Sequence, residues 1–158
     1  HFLGERIARF EEVHLGVAVD TPRGLMVPVL PSACSKSLED LSSGIKGMVE
    51  SCIEGTILPD QLSGGTFTLT NLGMLGIDHF TPVINPPEAA ILGVGGISLR
   101  PVRNREGEVS YAECITLSLT IDHQAVDGAP AARFLKDLVD TLNNYPGPTP
   151  ATTKETNK

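Results

Sequence analysis

Two separated stretches of strict alternation constrain the fold more than any other feature. In "GGTFTLTNLG", residues 64–73, Thr66, Thr68 and Thr70 fall on one side and Phe67 and Leu69 on the other. In "ITLSLTID", residues 115–122, Ile115, Leu117, Leu119 and Ile121 alternate with Thr116, Ser118, Thr120 and Asp122. A period of two is the strand period, so each stretch is a strand with one apolar and one hydroxyl-bearing face. An apolar sheet face needs a second layer, and the chain supplies it. Leu38, Leu41, Ile45, Met48, Val49, Cys52 and Ile53 recur every three or four positions. That spacing predicts a helix over 36–54, with Ser35 or Ser37 as N-cap and Gly55 as stop. Gly44 and Gly47 inside it read as points of close packing against a neighbour. Ala132, Leu135, Leu138, Val139 and Leu142 mark a second helix from Ala129 to Asn143. The hydroxyl faces have two readings: the wetted side of the sheet, or the wall of a channel or subunit contact.

Residues 13–30 read as a hairpin about Thr21-Pro22-Arg23-Gly24, with Pro28 making its second strand an edge or irregular strand. In "PVINPPEAAILGVGG", Pro86-Pro87 excludes helix and "AAILGVG" reads as a buried strand, while residues 103–110 form a polar turn. From Pro146 the chain is Pro/Thr-rich, which predicts one domain over 1–145 and a disordered polar tail over 146–158. Aromatic residues make up 4% with no Trp, so aliphatic side chains must supply the core. The net charge of −7 carries no Lys/Arg block, which argues against nucleic acid or an anionic membrane as the main partner. Cys34, Cys52 and Cys114 are far apart with no CxxC, so packed, reduced thiols and an intracellular setting are expected. No apolar run approaches the roughly 18 residues of a membrane span. "HFLGERIARFEEVHLGVAVD" runs from His1 straight towards strand patterning, as a piece of a longer protein would; any targeting peptide would belong to the missing upstream part.

The chemistry concentrates in "TIDHQAVDG", residues 120–128, where strand patterning gives way to helix. His123 has three readings there. As a metal ligand it would join Asp122 and Asp127 but need a further ligand from His14 or His79, which lie in unrelated segments. As a structural residue it would satisfy a turn. As a general base it would take a proton from a bound thiol or hydroxyl near neutral pH. Asp127 stands where a carboxylate caps a helix, and Gly128 permits a sharp backbone turn.

"HLGVAVDTPRGLMVPVL", "LSGGTFTLTNLGMLGIDHFTPVINPPEAAILGVG" and "LSLTIDHQAVDGAPAARFLKDL" occur in that order. Together they resemble the catalytic domain of the dihydrolipoamide acyltransferases, the core components of 2-oxo acid dehydrogenase complexes, over about residues 5–142. The resemblance implies an α/β fold of the chloramphenicol-acetyltransferase-like, coenzyme A-dependent acyltransferase type: a mixed β-sheet with helices packed on one side. It implies acyl transfer between dihydrolipoamide and coenzyme A. His123 matches the family's general base, which takes the proton from the attacking thiol. Thr70 matches a family serine that donates a hydrogen bond to the tetrahedral oxyanion; the threonine keeps the hydroxyl but restricts its rotamers. Asp127 matches an aspartate that orients the loop, with Gly128 beside it. Asp20 aligns with an aspartate near the active-site channel and is equally placed to start the turn before Pro22. Asn71 is counted with the substrate-binding or supporting residues. The resemblance further implies coenzyme A as a substrate, a lipoyl group delivered by a domain absent from this chain, and no metal. Its partners would be two more copies in a homotrimer whose active sites lie between subunits, the lipoyl domain and other complex components. A bacterial cytoplasm or a mitochondrial matrix is the implied setting.

The chain also departs from the family pattern. Gln124 stands where an arginine usually follows the histidine, the domain's first helix and strands are lacking, and the polar tail replaces a short apolar C-terminus that joins trimers into larger cages. These departures keep open a non-catalytic scaffold of the same fold. An acetyltransferase for small amines or alcohols would use the same base.

Overall fold

The structure, a computed structural model, describes residues 1–104 and 106–147. In chain order the elements are β1 (Leu15–Val17), β2 (Val19–Thr21), β3 (Gly24–Met26), β4 (Val29–Leu30), α1 (Leu38–Glu54), β5 (Phe67–Asn71), β6 (Ala90–Arg103), β7 (Val109–Ile121) and α2 (Gly128–Asn143). Five strands form one sheet in the order β4-β1-β5-β6-β7, and β2 and β3 pair only with each other. β1, β5 and β6 run parallel, whereas β4 and β7 are antiparallel to their neighbours, so the sheet is mixed.

The expected hairpin over 13–30 is split in two. Val17 N–H donates to the Pro28 carbonyl at 3.0 Å and Ala18 N–H to Leu69 at 2.9 Å, after which β2 and β3 leave the sheet as a ribbon. Pro28 has no N–H to give a ladder, and β4, the short strand after it, is the sheet edge. Thr21 closes the ribbon's turn, its hydroxyl donating to Gly24 O at 2.7 Å and accepting from Arg23 N–H at 3.2 Å.

The register identifies which face the helices cover. Leu15 lies opposite both Leu30 and Phe67, so the three side chains share a face. Phe67 meets Phe134 of α2 edge-on, ring centroids 6.0 Å apart. A β-carbon on Gly44 of α1 would sit 3.0 Å from Leu30 Cδ1. Both helices therefore pack on the same side of the sheet, and Gly44 is small because Leu30 approaches it. Nothing lies within 4 Å of a β-carbon on Gly47, and nothing in the structure explains that glycine. Met48 and Cys52 are the buried members of the α1 stripe. Ser37 caps its start by accepting from Asp40 N–H at 3.1 Å, and Gly55, at φ 74°, ends it. Of the three cysteines only Cys52 is buried, and burial pushes its thiol pKa up; Cys34 is exposed, against the expectation of packing.

The opposite face carries Gly16, Thr68, Ile91 and Thr120 in register. It is not a wetted surface over β5: Thr68 is fully buried, and Thr120 donates to the Pro82 carbonyl at 2.7 Å. The β2–β3 ribbon and residues 80–85 stand over it and leave a cleft of about 410 Å³.

β6 and β7 continue well past the sheet as a two-stranded arm closed by Asn104, whose Oδ1 accepts from Glu106 and Glu108 N–H. Their register shifts between Val94 and Ile97. There the turn after β5 presses on the strand so closely that a β-carbon on Gly95 would lie 1.9 Å from the Asp78 carbonyl oxygen. Backbone cannot yield as a side-chain tip can, so Gly95→Ala is expected to destabilise the fold by roughly 1–3 kcal/mol. An unchanged midpoint in urea would contradict that packing. No helix among the described residues is long and apolar enough to cross a membrane. Apart from Pro146 and Gly147, the expected polar tail lies outside the described residues.

Candidate active site

Where β7 ends, one aspartate organises the loop. Asp122 N–H donates to the Ala89 carbonyl at 2.8 Å, its carbonyl accepts from Ala125 and Val126 N–H at 3.0 Å, and its Oδ1 accepts from Gln124 N–H at 2.9 Å. This side-chain turn leaves His123 at the apex with its side chain 76% exposed. Nδ1 of the imidazole lies 3.7 Å from Asp127 Oδ1. That is longer than a hydrogen bond, so the carboxylate lies beside the ring and leaves Nε2 free for other work.

Two expectations for this loop need correction. Asp127 is the N-cap residue of α2 by backbone geometry, but its side chain makes no cap hydrogen bond and lies beside His123 instead. Gly128 is the first helical residue, without a left-handed φ and with nothing within 4 Å of a β-carbon, so it is not where the chain turns sharply.

Thr70 is half-buried on β5 and lines the 410 Å³ cleft with Thr68, Phe80, Asn85 and Ile91. Asn71 builds the exit from the strand: its Oδ1 accepts from Gly73 N–H at 2.8 Å. The turn that follows is tied to β6, with Leu72 N–H donating to Val94 O at 3.2 Å and Gly96 N–H to Ile77 O at 2.8 Å. Arg100 Nη2 reaches both oxygens of Asp78, at 2.8 and 2.7 Å, and also Thr116 Oγ1 at 3.0 Å. The hydrogen bond from Arg100, then that from Ser98, holds the Asp78 carboxyl below the usual carboxylate range. Asp20 is exposed and pairs across the ribbon with Leu25, which lines the Thr70 cleft.

One chain does not bring His123 and Thr70 together. Thr70 pairs with Gly93, which pairs with Ser118, while Ile121 pairs with Ala90. Thr70 is thus three rungs up the ladder and two strands across from the point where β7 hands over to the His123 loop. With ~3.3 Å per residue and ~4.8 Å between strands, the two groups are roughly 15–20 Å apart. Asp127 sits with His123, Asn71 follows Thr70, and Asp20 lies across the ribbon from Leu25 of Thr70's cleft. Among the described residues, no group of three or more His, Cys, Asp or Glu side chains converges to hold a metal ion. His14 is engaged with Ser32 N–H at 3.1 Å, and His79 lies 3.6 Å from Asp78.

Asp122 carried a readable signal as an Asx-type turn former before the helix, although the strand pattern claims it first. The Asp78–Arg100 pair spans 22 residues and has no local signature.

Residues 1–147 match the 2-oxoacid dehydrogenases acyltransferase (catalytic domain) family. The chain is 46% identical over 137 residues to the dihydrolipoyllysine-residue acetyltransferase component of the acetoin cleaving system of Bacillus subtilis, covering 87% of this chain and 34% of that protein. It is 40% identical to the mitochondrial pyruvate dehydrogenase complex component of Dictyostelium discoideum, covering 87% of this chain and 22% of that one. The dihydrolipoamide acetyltransferase of Azotobacter vinelandii superposes with a TM-score of 0.86 at 40% identity, over 89% of this chain and 58% of that chain. A truncated catalytic core of the Thermoplasma acidophilum 2-oxoacid dehydrogenase complex does so with 0.79 at 36% identity, over 93% and 64%. The chain therefore spans about a fifth to a third of these curated relatives and less than two thirds of these solved chains. With its mixed sheet, its helices on one face and its family match from His1 to Gly147, the chain belongs to the 2-oxo acid dehydrogenase acyltransferase family.

Proposed function

We propose that this chain carries acyl-transfer residues for a 2-oxo acid dehydrogenase complex, moving an acyl group between dihydrolipoamide and coenzyme A. The observation that carries the reading is the family match over residues 1–147 together with an exposed imidazole on a hydrogen-bonded loop. In the Azotobacter enzyme a serine, a histidine and an asparagine are named in the catalytic mechanism, the asparagine four residues after the histidine. Asp127 follows His123 by the same four, and Thr70 is the hydroxyl residue in the strand motif upstream.

In this reading His123 Nε2 accepts the proton of the attacking thiol. The thiolate sulfur bonds to the thioester carbonyl carbon, and the electron pair of the C=O moves to oxygen. Thr70 Oγ1 donates to that oxyanion. The tetrahedral intermediate then collapses, the original C–S bond breaks, and the departing thiolate takes the proton from the imidazolium. Asp127, 3.7 Å from the imidazole, is placed for an orienting role. Asp20, across the ribbon from the cleft-lining Leu25, would act on a substrate that enters beside the ribbon.

Because Thr70 and His123 are far apart in one chain, a complete site takes Thr70 from one copy and His123 from another. A homotrimer with its sites between subunits satisfies that requirement by rotational symmetry. One solved relative is the cubic core of a pyruvate dehydrogenase multienzyme complex, which supports assembly. The lipoyl group would arrive on a lipoyl domain. Bacterial and mitochondrial relatives support a bacterial cytoplasm or mitochondrial matrix.

The test is turnover by the purified chain with acetyl-coenzyme A and dihydrolipoamide, beside small amine and alcohol acceptors. Acetyl-dihydrolipoamide formation is expected. A stable oligomer without turnover would favour a scaffold, and preference for an amine or alcohol would favour a small-molecule acetyltransferase.

A further inference from the structure

Among the described residues, Glu88 is the carboxyl-bearing side chain that the core encloses, with 3% of its surface exposed. Its Oε1 receives only a long hydrogen bond from Asn85 Nδ2, at 3.4 Å, and Oε2 has no partner. Thr68 Oγ1, fully buried on β5, also lacks a partner; it faces the carboxyl closely enough to act on it without reaching hydrogen-bond geometry. Two glycines make the room. A β-carbon on Gly65 would lie 2.5 Å from Glu88 Oε1, and one on Gly16 would lie 2.6 Å from Thr68 Oγ1. This polar pair is thus built into the core rather than left at its edge.

Its neighbours belong to both halves of the site. The residue after Glu88 is Ala89, whose carbonyl accepts Asp122 N–H at 2.8 Å and so fixes the turn that carries His123. Thr68 is two residues before Thr70 on the same strand face, and Thr68 and Asn85 both line the Thr70 cleft. We propose that Glu88 is a positioning residue that ties the His123 loop to β5, so that the geometry of both half-sites depends on it. The proposal rests on the acyl-transfer reading for its consequence and on the packing for its cause.

The surroundings of the carboxyl disfavour its charged form. The groups against it are Thr68 from β5, Asn85 from its own segment and Gly65 before β5; none of these is charged, and a titratable side chain, His1, lies beyond Gly65 with its Nε2 2.9 Å from that residue's carbonyl oxygen. An unpaired buried carboxylate is strongly disfavoured. Burial pushes the Glu88 pKa up, with Thr68 and Asn85 acting in the opposite direction. A raised folded value means that Glu88's contribution is complete below the ordinary value of 4.5 and is lost as pH rises through the folded value. Glutamine would reproduce the neutral state at every pH.

The test compares E88Q and E88A with the wild type, using the full chain in its native oligomer. E88Q is expected to keep kcat and KM within about twofold and to flatten the loss of folding stability with rising pH. E88A is expected to lower kcat about tenfold or more with KM changed less than about threefold, as misplacement of reacting groups does. It should also shift the His123 ring resonances in NMR spectra, which E88Q should leave in place. An unmoved His123 resonance with unchanged kcat in E88A would overturn the proposal, as would an E88Q defect equal to that of E88A. If E88A does not fold, the stability profile of E88Q decides: a slope identical to that of the wild type overturns the proposal. Because the NMR readout needs no turnover, an inactive wild type would count against the acyl-transfer reading and leave this proposal standing.

Discussion

Replacing His123 with alanine is expected to cut coenzyme A-dependent acyl transfer by about 10²–10⁴-fold, the usual contribution of a positioned general base. The fold should not change. The side chain is 76% exposed, so its removal belongs with surface substitutions worth within about 0.5 kcal/mol. The loop beneath it is held by Asp122, through Ala89, Gln124, Ala125 and Val126, and none of those bonds uses the imidazole. A His123→Ala protein with wild-type melting and near-wild-type turnover would remove the base from the mechanism. One that lost activity only because it unfolded would contradict the exposure on which its role rests. Asp127→Asn should cost much less, because at 3.7 Å the carboxylate makes no hydrogen bond to the ring.

The second large effect is expected at Thr70. Thr70→Ala removes the oxyanion donor, a loss of about 10²–10³ in kcat or ~2.7–4 kcal/mol of transition-state stabilisation. Thr70→Ser keeps the hydroxyl and frees its rotamer, so kcat should stay within a few-fold of the wild type. The contrast matters because Thr70 also sits on a partly buried face of β5, where loss of a methyl group alone has a packing cost. Serine and alanine both lose that methyl group; only alanine loses the donor. Equal damage from both substitutions would make Thr70 a packing residue, and the drop should fall on kcat with KM little affected.

Much of this was legible in the residues before any geometry. The apolar stripe predicted a helix over 36–54, and α1 runs Leu38–Glu54 between Ser37 and Gly55. The second stripe placed a helix over 129–143, and α2 runs Gly128–Asn143. Local chemistry decided these elements, so local reading sufficed. The hairpin over 13–30 divided because β1 also pairs with β5, and that partner lies 52 residues downstream (67 − 15). β6 extends to Arg103 because β7 supplies a ladder along its outer half, which the apolar pattern alone stops short of. At the site, His123, Thr70 and Asp127 could be named from motifs, whereas the 3.7 Å contact and the missing cap bond of Asp127 could not. Glu88 was invisible for the opposite reason: its carboxyl argues for the surface, and Gly65 makes room for it in the core.

The central claim is that no single copy holds a complete site. Co-assembling His123→Ala chains with Thr70→Ala chains tests it most directly, since each variant alone lacks one half of every site. If the site forms between copies, random mixing in equal amounts should restore about a quarter of wild-type turnover, because some sites then pair an intact His123 with an intact Thr70 from a neighbour. If His123 and Thr70 of the same chain act together, the mixture will show only the residual activity of the two variants, and the inter-subunit account will be wrong.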